Sequence, residues 1–328
     1  MNWEIDRTSG GRATVRDVLF DAQHRLAAVG VPSPNTDATE IVAFAMGTTR
    51  GRLFLQDPVD AEQRVRVEKM LTRRLSRVPL QHLIGTVGFR RIELAVGRGV
   101  FIPRPETELV AEAALRELML QPTGARIGVD LCTGSGAIAI SLGVEAENSR
   151  IHAVELSDEA MPWATKNVAA HQDRLSTAGS RVDLLQGDAT TIADPGQPLA
   201  RLAGQVAVVV SNPPYIPADM IPREPEVRDH EPKMALYGGD DGLDVVRGVL
   251  RTAAFLLKPG GLLVIEHADV QGNDGGSRGV PGVMRAMVAD YEVASIANVP
   301  SGTHLWTSIN DRIDLTGNPR FTLARRVL

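Results

Sequence analysis

Val206 to Val210 are five apolar residues without a polar break, the pattern of a strand buried on both faces of a parallel sheet. On either side of this run, strand-like and helix-like stretches alternate. Strands are expected at 126–131, 150–156, 181–186, 206–211, 261–267, 291–297 and 320–326, with helices at 137–145, 158–171, 241–257 and 281–290. This alternation predicts an α/β fold with a mostly parallel seven-stranded sheet covered on both faces. Nearer the start the period becomes helical. Val15, Val18, Leu19, Ala22 and Leu26 share one face, which ends at Gly30. A second helix is expected over 36–46, and a third from Asp60 to Arg77 with Val67, Leu71 and Leu75 spaced by four. Pro79 breaks that helix, and two short strands follow at 83–89 and 91–96. Pro105 then suits the first turn of a helix reaching about Leu120. The expected organisation is a small all-helical domain over 1–78, a β-hairpin linker over 79–104 and a larger α/β domain over 105–328. Stretches 271–280 and 299–310 read as inserted loops.

Composition narrows this picture without changing it. With 328 residues, 43% apolar and 23% charged, the chain can bury a sizeable core. A net charge of −5 argues against broad nucleic-acid binding, which needs a basic footprint. The single cysteine, Cys132, rules out an internal disulfide and a Cys-based zinc cluster. No apolar run approaches the length of a membrane span and the first 15 residues hold no signal-peptide core, so a cytoplasmic protein without a membrane partner is expected. The third helix carries Arg64, Arg66, Lys69, Arg73, Arg74 and Arg77. Such a stripe is more often a solvated face than a docking surface for a macromolecule.

Candidate chemistry gathers at the strand ends. The first strand of the large domain runs into Asp130-Leu131-Cys132-Thr133-Gly134-Ser135-Gly136-Ala137, where glycines permit a tight turn into a helix and close approach of a ligand to the backbone. Gly134, Gly136 and Ala139 also fit a dinucleotide fingerprint. The second strand ends in Glu155, 25 residues after Asp130, where a carboxylate can take both hydroxyls of a ribose. The third ends in Gly187-Asp188, an acid able to accept from an adenine amino group. Each has a plainer reading, Asp188 as a cap and Glu155 as a surface acid. Together with the Gly loop they favour a nucleoside site, and a nicotinamide cofactor remains open. The fourth strand ends in Asn212-Pro213-Pro214-Tyr215, a stiff, open terminus presenting an amide, a carbonyl without a ladder partner and an aromatic ring.

Asp-x-x-Thr-Gly-Ser-Gly at 130–136 with Asn-Pro-Pro-Tyr at 212–215 resembles the Rossmann-like class I S-adenosylmethionine-dependent methyltransferases that alkylate an exocyclic or amide nitrogen. Within them, Leu80 to Gly85, Phe101-Ile102-Pro103-Arg104-Pro105-Glu106-Thr107-Glu108 and Asp314 to Arg320 resemble the HemK/PrmC-type release-factor glutamine methyltransferases, over about 14–327. The resemblance implies that Cys132, Thr133, Gly134, Ser135 and Gly136 line the methionine and ribose of the cofactor, and that Glu155 holds the ribose. It implies that Asp188 and Ala189 border the adenine, that Asn212 also contacts the cofactor, and that Asn212, Pro213, Pro214 and Tyr215 hold a substrate glutamine amide. Two positions depart from the pattern: Cys132 replaces a usual glycine, and Ala189 stands where some members carry an aromatic. The implied activity is methylation of the Gly-Gly-Gln glutamine of class I peptide-chain release factors by a monomer without stable nucleic-acid binding. Alternatives are a ribosomal-protein glutamine methyltransferase, an N6-adenine methyltransferase of DNA or RNA, and a non-catalytic nucleoside-binding translation factor. A dehydrogenase fits least, because no positioned acid–base partner accompanies the Gly loop.

Overall fold

The computed structural model describes residues 13–289, 294 and 299–327. It divides into two units, Met1–Gly85 with Arg223–His230, and Thr86–Pro222 with Glu231–Leu328.

In the first unit, α1 (Val15–Ala28) starts at a reciprocal capping box between Thr14 and Asp17. Next come α2 (Pro34–Ala45), a 3₁₀ turn over Arg50–Gln56, and α3 (Ala61–Leu75), which Asp60 and Gln63 cap in the same way. Their apolar stripes meet in a core that includes Val15, Leu26, Ile41, Leu53 and Leu71. Leu80–Ile84 forms a short helix, α4, rather than the start of a strand. Gly85 at φ +87° closes it by donating its N–H to the Gln81 carbonyl at 2.7 Å, a left-handed terminus that glycine adopts without steric cost. A short helix from further along the chain, Pro225–His230, completes this unit. Its Glu226 pairs with Arg74 at 2.8 Å and Arg77 at 2.7 Å, while Arg74 also reaches Asp37 at 2.7 Å. Burial disfavours the Glu226 charge, yet hydrogen bonds from Arg77 and Arg74 prevail and hold its pKa down to about 2. Arg74 is only 4% exposed. The basic stripe of α3 is therefore partly an internal ion-pair network.

The second unit opens with the expected hairpin, β1 (Thr86–Phe89) paired antiparallel with β2 (Ile92–Ala95). Among the described residues seven further strands form one sheet: β3 (Ile127–Leu131), β4 (Arg150–Glu155), β5 (Arg181–Gln186), β6 (Val206–Ser211), β7 (Leu257–Glu266), β8 (Trp306–Ile313) and β9 (Pro319–Arg326). Their order is β5-β4-β3-β6-β7-β9-β8. The first five are parallel, and β9 and β8 return antiparallel. The accompanying helices are α5 (Thr107–Met119), α6 (Ala137–Glu145), α7 (Met161–Ala170), α8 (Gln172–Thr177), α9 (Asp244–Leu256) and α10 (Val280–Ala286). Two apolar cores form, and β6 contributes to both: Val206 and Val209 to one, Ala207, Val208 and Val210 to the other. The uninterrupted apolar run is thus buried on both sides.

The strand expected at 291–297 lies outside the described residues. The loop expected at 299–310 contains a strand instead: β8 begins at Trp306 and forms the sheet edge. It shows no alternation because it pairs on one side only, most of its residues are exposed and its register shifts between Thr307 and Asn310. Trp306, 4% exposed, packs in the core.

Candidate active site

The chain leaves β3 toward β4, and β6 lies on the other side of β3, so the strand order reverses between β3 and β6. Ligands of open α/β sheets bind at the carboxyl ends of strands at such a point. Register brings the ends level: Leu131 adjoins Val154 and Ser211, and Glu155 adjoins Gln186.

The Gly loop turns out of β3 through three left-handed residues, Cys132 (φ +64°), Gly134 (φ +58°) and Gly136 (φ +84°). Nothing lies within 4 Å of the position a Cβ on Gly134 would take, so the loop is open there. Cys132 adopts the conformation a glycine would adopt freely, and burial pushes its thiol pKa up. Thr133 and Ser135 are buried. Below the loop Asp130, fully buried, accepts from the Thr133 hydroxyl at 2.6 Å and the Ala139 N–H at 3.1 Å. Those bonds favour its charge, but burial outweighs them and lifts its pKa to about 7. Asn167 on α7 braces the loop by donating to the Ser135 carbonyl at 2.9 Å and the Ala95 carbonyl at 3.0 Å.

Glu155 ends β4 against this loop. Its carboxylate accepts from the Gly134 N–H at 2.7 Å and the Ser157 N–H at 2.8 Å, while burial raises its pKa. Asp188 lies beyond β5, exposed, and its Oδ1 accepts from the N–H and hydroxyl of Thr190. It therefore acts as a local cap as well as occupying a strand end. Ala189 beside it is buried.

Beyond β6, Asn212 donates through Nδ2 to the Thr107 hydroxyl in a long contact of 3.4 Å. Pro213 is buried, and Pro214 and Tyr215 are half-buried. The Tyr215 carbonyl accepts from Gln271 Nε2 at 2.9 Å. Burial and the nearby Glu266 carboxylate raise the pKa of its phenol. Glu266 ends β7 and is 1% exposed, with the Thr107 and Tyr215 hydroxyls near enough to favour its charge. Burial prevails there too, lifting its pKa to about 7. Arg104 faces the Phe101 ring at 4.9 Å and pairs with buried Glu231. The stretch 101–108 supplies Thr107 as a contact of the motif, and the charges of Glu106 and of Arg320, from 314–320, act on Tyr215 and Glu266.

Sequence reading did not single out Glu266, Gln271 or Asn167. Glu266 carried a usable signal, a lone acid closing the apolar run Leu262 to Ile265, the same pattern as Val154-Glu155. Gln271 sits in a stretch without periodicity and carried none. Among the described residues no cluster of His, Cys, Asp or Glu could hold a metal ion, and no helix is long and apolar enough to cross a membrane.

Five parallel strands closed by an antiparallel pair, with a Gly loop, an acid on the next strand and Asn-Pro-Pro-Tyr after the fourth, define a class I methyltransferase. Residues 17–85 match the family model described as the PrmC N-terminal domain. A Streptomyces coelicolor release factor glutamine methyltransferase is 45% identical over 311 residues, covering 94% of this chain and 97% of that one. Its Mycobacterium tuberculosis namesake is 40% identical over 318 residues (95% and 92%), and that of Deinococcus radiodurans 35% over 315 residues (95% and 98%). The chain belongs to the release factor glutamine methyltransferase family.

Proposed function

We propose that this enzyme transfers a methyl group from S-adenosylmethionine to the side-chain nitrogen of the glutamine in the Gly-Gly-Gln motif of class I peptide-chain release factors. The observation that carries this reading is the placement of Asn212-Pro213-Pro214-Tyr215 beside a Gly loop and a buried acid, in a chain with this family's sequence over nearly its whole length.

The donor fits the residues present. Gly134 leaves the loop surface open, and the buried Glu155 carboxylate can exchange backbone partners for ribose hydroxyls. Cys132 to Gly136 would line its methionine and ribose, with Asp188 and Ala189 bordering the adenine. When bound, S-adenosylmethionine supplies a methyl group already activated on a sulfonium.

The protein's own task is therefore orientation. An amide nitrogen is a poor nucleophile because its lone pair is delocalised into the carbonyl, the conjugation behind the ~18–20 kcal/mol barrier to peptide rotation. Correct alignment of reactants contributes about 7–11 kcal/mol. Asn212 Oδ1 and the Pro213 carbonyl accept the two N–H bonds of the substrate amide and aim its nitrogen, while Tyr215 packs against the amide plane. Accepting both protons also favours the positive charge that develops on nitrogen. No base is needed before transfer.

The test is tritiated methyl transfer to purified release factors, with the Gly-Gly-Gln glutamine replaced as control. Label should require that glutamine. Asn212→Ala should abolish transfer while donor affinity stays within about three-fold, because most of the donor's contacts come from the Gly loop, Glu155 and Asp188. Label surviving glutamine replacement, or full activity in Asn212→Ala, would refute the assignment.

A further inference from the structure

The amide-holding role of Asn212 depends on which end of its side chain faces the substrate, since only Oδ1 accepts a hydrogen bond. Nothing in the Asn-Pro-Pro-Tyr stretch fixes that choice. The deciding contact comes from Thr107, whose hydroxyl receives Asn212 Nδ2 at 3.4 Å. A threonine hydroxyl has one proton and can both donate and accept. If that proton pointed at Asn212, the amide would turn its oxygen to Thr107 and present an NH₂ group to the substrate.

Glu266 takes that proton elsewhere. Ile265, the residue before it, pairs in register with Ser211, the residue before Asn212. Its carboxylate, 1% exposed, lies close enough to the Thr107 and Tyr215 hydroxyls for both to favour its charge, and its Oε2 accepts no hydrogen bond. Glu106 and Arg320 are the charged groups acting on it, and Arg320 is itself paired with Asp314 at 3.1 Å. Ionised, as it is above about pH 7, a buried carboxylate short of partners is a strong acceptor. It draws the Thr107 proton, leaving the hydroxyl oxygen to accept from Asn212 Nδ2.

We infer that Glu266 and Thr107 are positioning residues for methyl transfer: Glu266 orients the Thr107 hydroxyl, and Thr107 fixes the Asn212 amide with Oδ1 toward the substrate. This rests on the function proposed above and adds two residues that do not touch the reacting atoms.

The test measures kcat, KM for the release factor and donor Kd in the full-length enzyme. Thr107→Val, nearly isosteric, should lower kcat at least ten-fold while both affinities stay within three-fold, and Thr107→Ser should restore most of it. Glu266→Leu should behave as Thr107→Val does, and Glu266→Gln, whose carbonyl can still accept, should lie closer to wild type. The double variant of Thr107→Val and Glu266→Leu should lose no more than either single change. Wild-type kcat in Thr107→Val, failure of Thr107→Ser to restore, or losses that multiply in the double variant would each overturn the inference. Absence of transfer by the wild-type enzyme would instead refute the function on which it rests.

Discussion

Asp130 sits at the centre of the Gly loop and offers a direct test of the electrostatics beneath it. Its pKa stands at about 7 against an ordinary 3.8, because the loss of water outweighs the hydrogen bonds from Thr133 and Ala139. At 1.36 kcal/mol per unit, that separation is about 4 kcal/mol of preference for the protonated form. Over this range the folded chain holds a proton that the unfolded chain has released. The resulting stabilisation is complete below pH 3.8 and is lost as pH rises through 7. Between pH 5 and pH 8 the linkage relation makes this loss about 2–3 kcal/mol. Asp130→Asn keeps an acceptor for Thr133 and Ala139 but cannot titrate. Measured by urea unfolding without donor, the variant should therefore gain about 2–3 kcal/mol relative to wild type between pH 5 and pH 8. Glu266 titrates in both proteins and cancels from the difference. A stability gap constant within about 0.5 kcal/mol across that range would show that Asp130 is not held protonated.

Two further predictions concern stability. Cys132 occupies a left-handed conformation that costs a non-glycine residue about 1–2 kcal/mol. Cys132→Gly should change unfolding stability by less than about 1 kcal/mol, since relief of strain and glycine's extra unfolded freedom oppose each other. Cys132→Val should cost more than about 2 kcal/mol because a β-branched residue is disfavoured there. Equal effects of the two changes on the urea midpoint would contradict this. Arg74→Ala should cost about 3–5 kcal/mol by removing the guanidinium from buried Asp37 and from half-buried Glu226, which keeps Arg77. Adding Asp37→Asn should recover part of that loss, and strict additivity of the two changes would refute the coupling.

Where burial is two-sided or periodic, the sequence announces the structure. The run Val206 to Val210 and the stripe Val67, Leu71 lie where their patterns place them. The same holds for the Gly loop, Glu155 and Asn212, because each follows an apolar strand and inherits its position from the sheet. Legibility fails where one partner comes from far along the chain. β8 pairs only with β9, so no alternation marks it, and Trp306 and Ile309, three apart, mark its inner side. Arg74 and Arg77 read as members of a solvated stripe because Glu226, which draws them inward, lies about 150 residues away. Glu266 and Gln271 acquire meaning only once strand order sets β7 beside β6.

The ion-pair network of the helical unit also imposes an order on synthesis. Residues 15–84 emerge first, but the carboxylate that joins Arg74 and Arg77 arrives only with Glu226. At about 5–20 residues per second that interval is on the order of ten seconds. During it a nascent chain carries its helices with an internal guanidinium paired, among the described residues, with Asp37. A fragment cut after Gly85 would stay in that state permanently, so the helical unit reaches its finished form only after most of the catalytic sheet has left the ribosome.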